Sequence, residues 1–103
     1  MYAASHILIS YADAVRSTQS RTQEEALFLA CELREKIRQN IITFEQAAQT
    51  HSDCPSKVNQ GNLGSFKVTT MEQDFIAYLD QLQPGEISGV SPTVYGYHII
   101  RRN

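Results

Sequence analysis

His6, Cys54 and His98 are the residues of this chain whose types could do chemistry together. Cys54 lies in the polar run HSDCPSKVNQGNLGSF, an unusual setting for a free cysteine, which is ordinarily a small buried hydrophobe. A thiol beside a histidine is the minimum for nucleophilic catalysis, and Asp53 would complete a triad. Against a cysteine hydrolase stands the lack of a long helix beginning at the nucleophile to depress its pKa. The same three side chains are acceptable zinc ligands, but they are only three, and no C-x-x-C or H-x-x-x-H spacing accompanies them. Taken singly, a histidine on a strand is more often a satisfied structural residue than a catalyst.

The elements that must position these residues can be read from periodicity. ASHILIS alternates and is β-branched, which predicts a strand over residues 3–10 with His6, Leu8 and Ser10 on one face and Ile7 and Ile9 on the other. YADAVRSTQSR follows as a polar loop. TQEE is a capping box that opens a helix over 23–39, with Ala26, Leu29, Ala30, Leu33 and Ile37 at helical spacing. Cys31 flanks that stripe and reads as core filler. TFEQ opens a second helix at Thr43, with Phe44, Ala47 and Ala48 inward. TMEQ opens a third at Thr70, with Met71, Phe75 and Leu79 or Tyr78 inward. QPGE is a turn, with Pro84 pre-setting φ and Gly85 supplying φ > 0. EISGV reads as a short strand and TVYGYHIIRR as a longer one over 93–102, with Gly96 marking a close backbone approach. The order predicts an α+β domain, 1–103, with helices packed against an antiparallel sheet. In such a sheet the first and last strands are often central neighbours, so the two histidines would be adjacent.

Composition bounds the rest. The chain has 103 residues, enough for one domain with its own core. Its apolar fraction of 42% and charged fraction of 19% are those of a globular protein. A net charge of -2 gives no pull toward nucleic acid or anionic membrane, and no apolar run is long enough for a membrane span. The stretch MYAASHILIS has neither a basic n-region nor a long apolar core, so no signal peptide is expected in it. The compartment stays open: cytoplasm for a whole chain, export or membrane association for a domain of a longer chaperone. Cys31 and Cys54 fit neither a disulfide-dense scaffold nor a redox pair and read as free thiols.

Leu63, between the glycines of GNLG, with Met71 and Phe75 one turn apart, would ordinarily be core. Opening toward the Cys–His cluster, the trio would instead form a small apolar pocket with a polar floor, which suits a proline ring and its peptide bond. With these pieces together the chain resembles the parvulin-type peptidyl-prolyl cis-trans isomerases. The matching stretches are ASHILI, TFEQAAQTHSDCPS, GNLGSF, M-E-Q-D-F, L-Q-P-G-E-I-S and T-V-Y-G-Y-H-I-I, in the family's order from residue 3 to residue 102.

The resemblance implies a four-stranded antiparallel sheet surrounded by about four helices, and catalysed rotation about Xaa-Pro bonds in protein folding. The alternative within it is a proline-peptide-binding chaperone module with incidental turnover. His6 and His98 match the family's paired histidines, Cys54 its active-site cysteine and Asp53 the acidic neighbour. Thr93 matches the hydroxyl that bonds into the histidine pair. Leu63, Met71 and Phe75 match the proline pocket, and Gln73 and Tyr95 are placed among the substrate contacts. No cofactor or metal is implied. The implied partners are proline-containing peptides and unfolded or partly folded clients, met by a monomer, with no nucleic acid and no membrane insertion. The chain departs from the pattern at Gln60 and Asn62 on the pocket rim and at Asp80, where an aromatic residue often completes the groove. The loop after the first strand carries Arg16 and Arg21 where the phosphate-directed branch of the family has a dense basic cluster.

Overall fold

The computed structural model describes residues 1–103. Strand β1 (Tyr2–Ile9) leads through a long loop to helix α1 (Gln23–Arg38) and then α2 (Phe44–His51). A short 3-10 helix (Pro55–Asn59), strand β2 (Asn62–Phe66) and helix α3 (Gln73–Asp80) follow. The chain ends in the hairpin β3 (Ser91–Thr93) and β4 (Gly96–Arg102). The strands form one antiparallel sheet in the order β2-β1-β4-β3. The first and last strands are thus the central pair.

The helices start where their caps place them. The Thr22 hydroxyl accepts from Glu25 N–H and the Glu25 carboxylate accepts from Thr22 N–H. Thr43 and Gln46 repeat the arrangement at α2. Each such cap contributes about 1 kcal/mol. The apolar faces of α1 (Ala26, Ala30, Leu33, Ile37) and α2 (Phe44, Ala47, Ala48) close over Ile7, Ile9, Tyr97 and Ile99 of the sheet. The alternate residues of the same strands face the other way. There Ala4 and Ile100 meet Phe66, Phe75, Leu79 and Leu82 in a second, smaller core.

The structure corrects several sequence expectations. Cys31 is exposed, because it follows Ala30 by about 100° around the helix and so leaves the buried stripe. The strand expected over 93–102 is a hairpin, with Thr93 opposite Gly96 and Val94-Tyr95 as its turn. Gly96 has φ +137, and a Cβ there would lie 2.6 Å from the Ile9 carbonyl oxygen, so only glycine fits. EISGV is not a strand: Ile87 makes an isolated bridge to Arg101, and the Ser88 hydroxyl, not a backbone carbonyl, accepts from Ile100 N–H. Thr70 does not cap α3. It closes a turn through its N–H to the Lys67 carbonyl, and the helix begins later, with Glu72 in the cap position. GNLGSF, the end of the polar run around Cys54, contributes strand β2 at the sheet edge. The QPGE turn is present, with Glu86 N–H donating to the Gln83 carbonyl and Gly85 at φ +91.

Candidate active site

Register brings the histidines together. His6 is paired with Ile100 and His98 with Leu8, so the imidazoles are diagonal neighbours on one face of the central strand pair. Their Nδ1 atoms are 3.0 Å apart. Such a contact needs a proton on one nitrogen and a lone pair on the other, so at least one ring is neutral. The Nε2 of His98 lies 2.7 Å from the Thr93 hydroxyl, which in turn accepts from Tyr95 N–H. Burial pushes the His6 pKa down to about 4. Burial, and then the neighbouring His6, pushes His98 down to about 3. Both rings are therefore neutral near pH 7. The Nε2 of His6 is buried without a partner.

Phe75 seals this pair from the side of α3. Its ring meets His6 edge-on at 5.6 Å and His98 at 5.5 Å. Beside it opens a cavity of about 550 Å³ lined by His6, Cys54, Met71, Phe75, Tyr95 and His98, among others. The far wall is the loop after β1, residues Val15 to Gln19. That loop is closed at its neck by Ala12 N–H to the Arg21 carbonyl and pinned to the hairpin by Val15 N–H to the Val94 carbonyl.

Cys54 is held by the way β1 loses its partner. β2 pairs with β1 only as far as Ser5, with a last bond from His6 N–H to the Gly61 carbonyl. Beyond it, Ser52 and Asp53 occupy the vacated edge. Leu8 N–H donates to the Ser52 hydroxyl, Asp53 N–H to the Leu8 carbonyl, and Ser10 N–H to Asp53 Oδ2 at 2.8 Å. The next residue is Cys54, half-buried at the cavity wall, its own N–H donating to Ser52. The same Asp53 oxygen accepts from Arg21 Nη1 at 2.6 Å, and Arg21 also donates to the Ser10 carbonyl. Asp53 thus works as a strut between β1, the cysteine segment and the loop neck.

Three of the four ring nitrogens are turned to each other or to Thr93, His6 Nε2 has no partner, and no hydrogen bond joins either ring to the Cys54 thiol. A triad of Cys54, histidine and Asp53 is not assembled. Thr93 stands behind His98 and does not reach the cavity. Leu63 packs on the second core beside Phe75 and Met71 and borders a separate shallow depression with Gln60 and Asn62. Gln73, expected among the substrate contacts, is exposed and outside the cavity lining; its neighbour Glu72 lines the cavity instead. Asp80 is also away from the cavity, where it accepts from the Tyr2 hydroxyl. The loop from Val15 to Gln19 was read only for its arginines, and its place as a wall of the cavity was missed because it has no periodicity to read. Leu8 and Ser10 were readable, since alternation puts them on the face of His6.

A four-stranded antiparallel sheet thus carries a cavity over a buried histidine pair, with Met71 and Phe75 in its wall. The chain belongs to the rotamase family: the model of the PPIC-type PPIase domain matches residues 6–103. It is 34% identical over 106 residues to the peptidyl-prolyl cis-trans isomerase pin1 of Schizosaccharomyces pombe, covering 97% of this chain and 61% of that protein. To Pin1 of Arabidopsis thaliana it is 35% identical, covering 96% of this chain and 92% of the relative. The peptidyl-prolyl isomerase ESS1 from Candida albicans superposes with a TM-score of 0.94 at 28% identity, over 99% of this chain and 62% of that one. The chain therefore spans about three fifths of the fission yeast relative's length.

Proposed function

We propose that this domain is a peptidyl-prolyl cis-trans isomerase that rotates Xaa-Pro bonds in extended peptide segments without breaking a covalent bond. The observation that carries the reading is the presence, in one cavity, of an apolar anchor and a neutral histidine pair. Amide resonance sets a rotation barrier of about 18–20 kcal/mol. Lowering it requires only that the site bind the twisted amide better than the planar one. Met71 and Phe75 would hold the proline ring while the preceding carbonyl swings. The twisted amide has less charge separation, so a site poor in water favours it over the planar form. Two neutral imidazoles add directed dipoles without a full charge that would hold the planar amide back.

Cys54 would line the path of the carbonyl and shape its field, not attack it, since no base is hydrogen-bonded to the thiol. Tyr95 would border the same groove, with Thr93 fixing His98 from behind and Asp53 fixing the position of Cys54. Residues 1–103 act as one unit, as a monomer, on proline-containing peptides and on unfolded or partly folded clients. A phosphate before the proline is not required. Arg21 is spent on Asp53 and Ser10, which leaves Arg16 as the loop's one guanidinium along the cavity. Recognition of a phosphate normally draws on clustered donors. Exchange NMR on an Ala-Xaa-Pro-Phe peptide series with catalytic amounts of protein tests the reading: cis and trans resonances should exchange at a rate proportional to protein concentration. Binding shifts without added exchange would make the domain a binding module.

A further inference from the structure

Glu72 differs from the other acids of the chain. It holds the cap position of α3, yet its side chain makes no cap hydrogen bond. The residue lines the cavity, together with Met71 and Phe75. Its Oε2 is shut off from solvent and has no hydrogen-bond partner. The ion pairs of the chain leave it out: Arg21 serves Asp53, Lys36 serves Glu32, Arg38 serves Glu35 and Arg101 serves Glu45. Burial, and then the Asp74 carboxylate, raises its pKa, as befits an acid lacking a cation. One oxygen is thus shielded within the protein, while the half-buried side chain leaves the carboxylate without a cation at the cavity, where a cationic group carried in by a ligand would pair with it.

The other charges at the cavity do not supply that donor. Asp53 is neutralised by Arg21, and the two histidines are neutral near pH 7. Arg16 lines the cavity from the loop after β1 but makes no ion pair with Glu72. The neighbours of Glu72 are the two residues assigned to the proline ring. An extended peptide advances about 3.3–3.6 Å per residue, so a residue flanking the proline brings its side chain to Glu72. Lys or Arg there would form a charge-assisted hydrogen bond, stronger than a neutral one.

We propose that Glu72 is a specificity-determining residue that selects peptides with Lys or Arg flanking the proline. This rests on the isomerase reading of the cavity. The test is exchange NMR on the neutral peptide Ala-Leu-Pro-Phe, on Ala-Arg-Pro-Phe and Ala-Leu-Pro-Arg, and on their Glu counterparts, at low and high salt. One arginine peptide should exceed the neutral one by about tenfold in kcat/KM at low salt, its Glu counterpart should fall below it, and high salt should shrink the difference. In Glu72→Gln, with its fold checked by circular dichroism, the ratio of arginine to neutral peptide should collapse toward one. Ratios near one for both arginine peptides in the unsubstituted protein, or a ratio unchanged by Glu72→Gln, would overturn the proposal. Turnover of the neutral peptide alone judges the isomerase reading. If no peptide is turned over, Kd values from chemical-shift titration of the same set still decide the charge selection.

Discussion

His6 and Ile7 are adjacent on β1, yet they belong to two different regions of the molecule. Ile7 faces α1 and α2, where an unbroken apolar layer covers the sheet. His6 faces α3, an eight-residue helix too short to cover its side, and the uncovered part is the cavity. The closed face buries almost only hydrocarbon. The open face buries two imidazoles, a threonine hydroxyl and an unpartnered Glu72 oxygen. Burying polar groups costs free energy that burying hydrocarbon does not. The closed face therefore carries the stability, and the open face uses part of it to hold polar groups beside a ring-sized pocket. The division is testable, because substitutions on the two faces should move different quantities.

The largest effects should come from one truncation on each face. Leu33→Ala empties the closed core and should cost about 2–5 kcal/mol of stability, read by urea denaturation. Turnover per folded molecule should stay as it was. Phe75→Ala removes both a core ring and the wall of the proline pocket. It should lose stability and at least about 100-fold in kcat/KM, with Met71→Ala as a milder companion that keeps the core. If Leu33→Ala lowered turnover as strongly as Met71→Ala at equal folded fraction, the two faces would not be separate in function.

Next comes the response to acid. Both histidine pKa values are depressed in the folded state, to about 4 and about 3, against an ordinary value of 6.5. The unfolded chain therefore takes up protons that the folded one refuses. Stability is full above about pH 6.5 and falls as the pH drops toward the folded values, by up to about 1.4 kcal/mol per pH unit for each histidine. Urea midpoints over that window should show the slope, and His6→Leu should flatten it. The same series on Leu33→Ala should keep the slope, since that substitution leaves the open face intact.

How much of this could be read from the sequence differs between the faces in the same way. The closed face was legible because periodicity writes it: TQEE, TFEQ and the stripe from Ala26 to Ile37 each mark a helix with its inward side. The approach of His6 to His98 followed from two strands expected at the centre of one sheet. The open face was harder. Its wall from Val15 to Gln19 is an irregular loop held by backbone bonds to Arg21 and Val94, which no residue pattern announces. The place of Glu72 depended on where α3 begins, and Thr70 imitated a cap while closing a turn. The role of Asp53 as a strut depended on Arg21 reaching it across the loop. Cys31 was misplaced because an apolar residue beside a stripe reads like a member of it.

Smaller effects should separate positioning from contact. Arg21→Gln breaks the strut and loosens the loop wall, so KM should rise several-fold while kcat changes little; Arg21→Lys should recover part of the loss. Equal falls in kcat at unchanged KM would move Arg21 into the reacting centre. A matched set of Ser-Pro, phospho-Ser-Pro and Leu-Pro peptides should show no large, salt-sensitive preference for the phosphopeptide. Such a preference would mean that the loop rearranges to free Arg21. Cys54→Ser should have the smallest effect, well under the roughly 10²–10⁴-fold typical of a lost acid–base group.

The central claim is that the open face lowers a rotation barrier by anchoring and field, with the histidines neutral and no proton transferred. The most direct measurement is kcat/KM for Ala-Leu-Pro-Phe by exchange NMR from about pH 6 to about pH 8, the range in which an ordinary histidine changes charge, with folded fraction followed on the same samples. The account predicts a flat profile at constant folded fraction, in the unsubstituted protein and in Cys54→Ser alike. A bell-shaped profile with a limb in that range, abolished in Cys54→Ser, would contradict it.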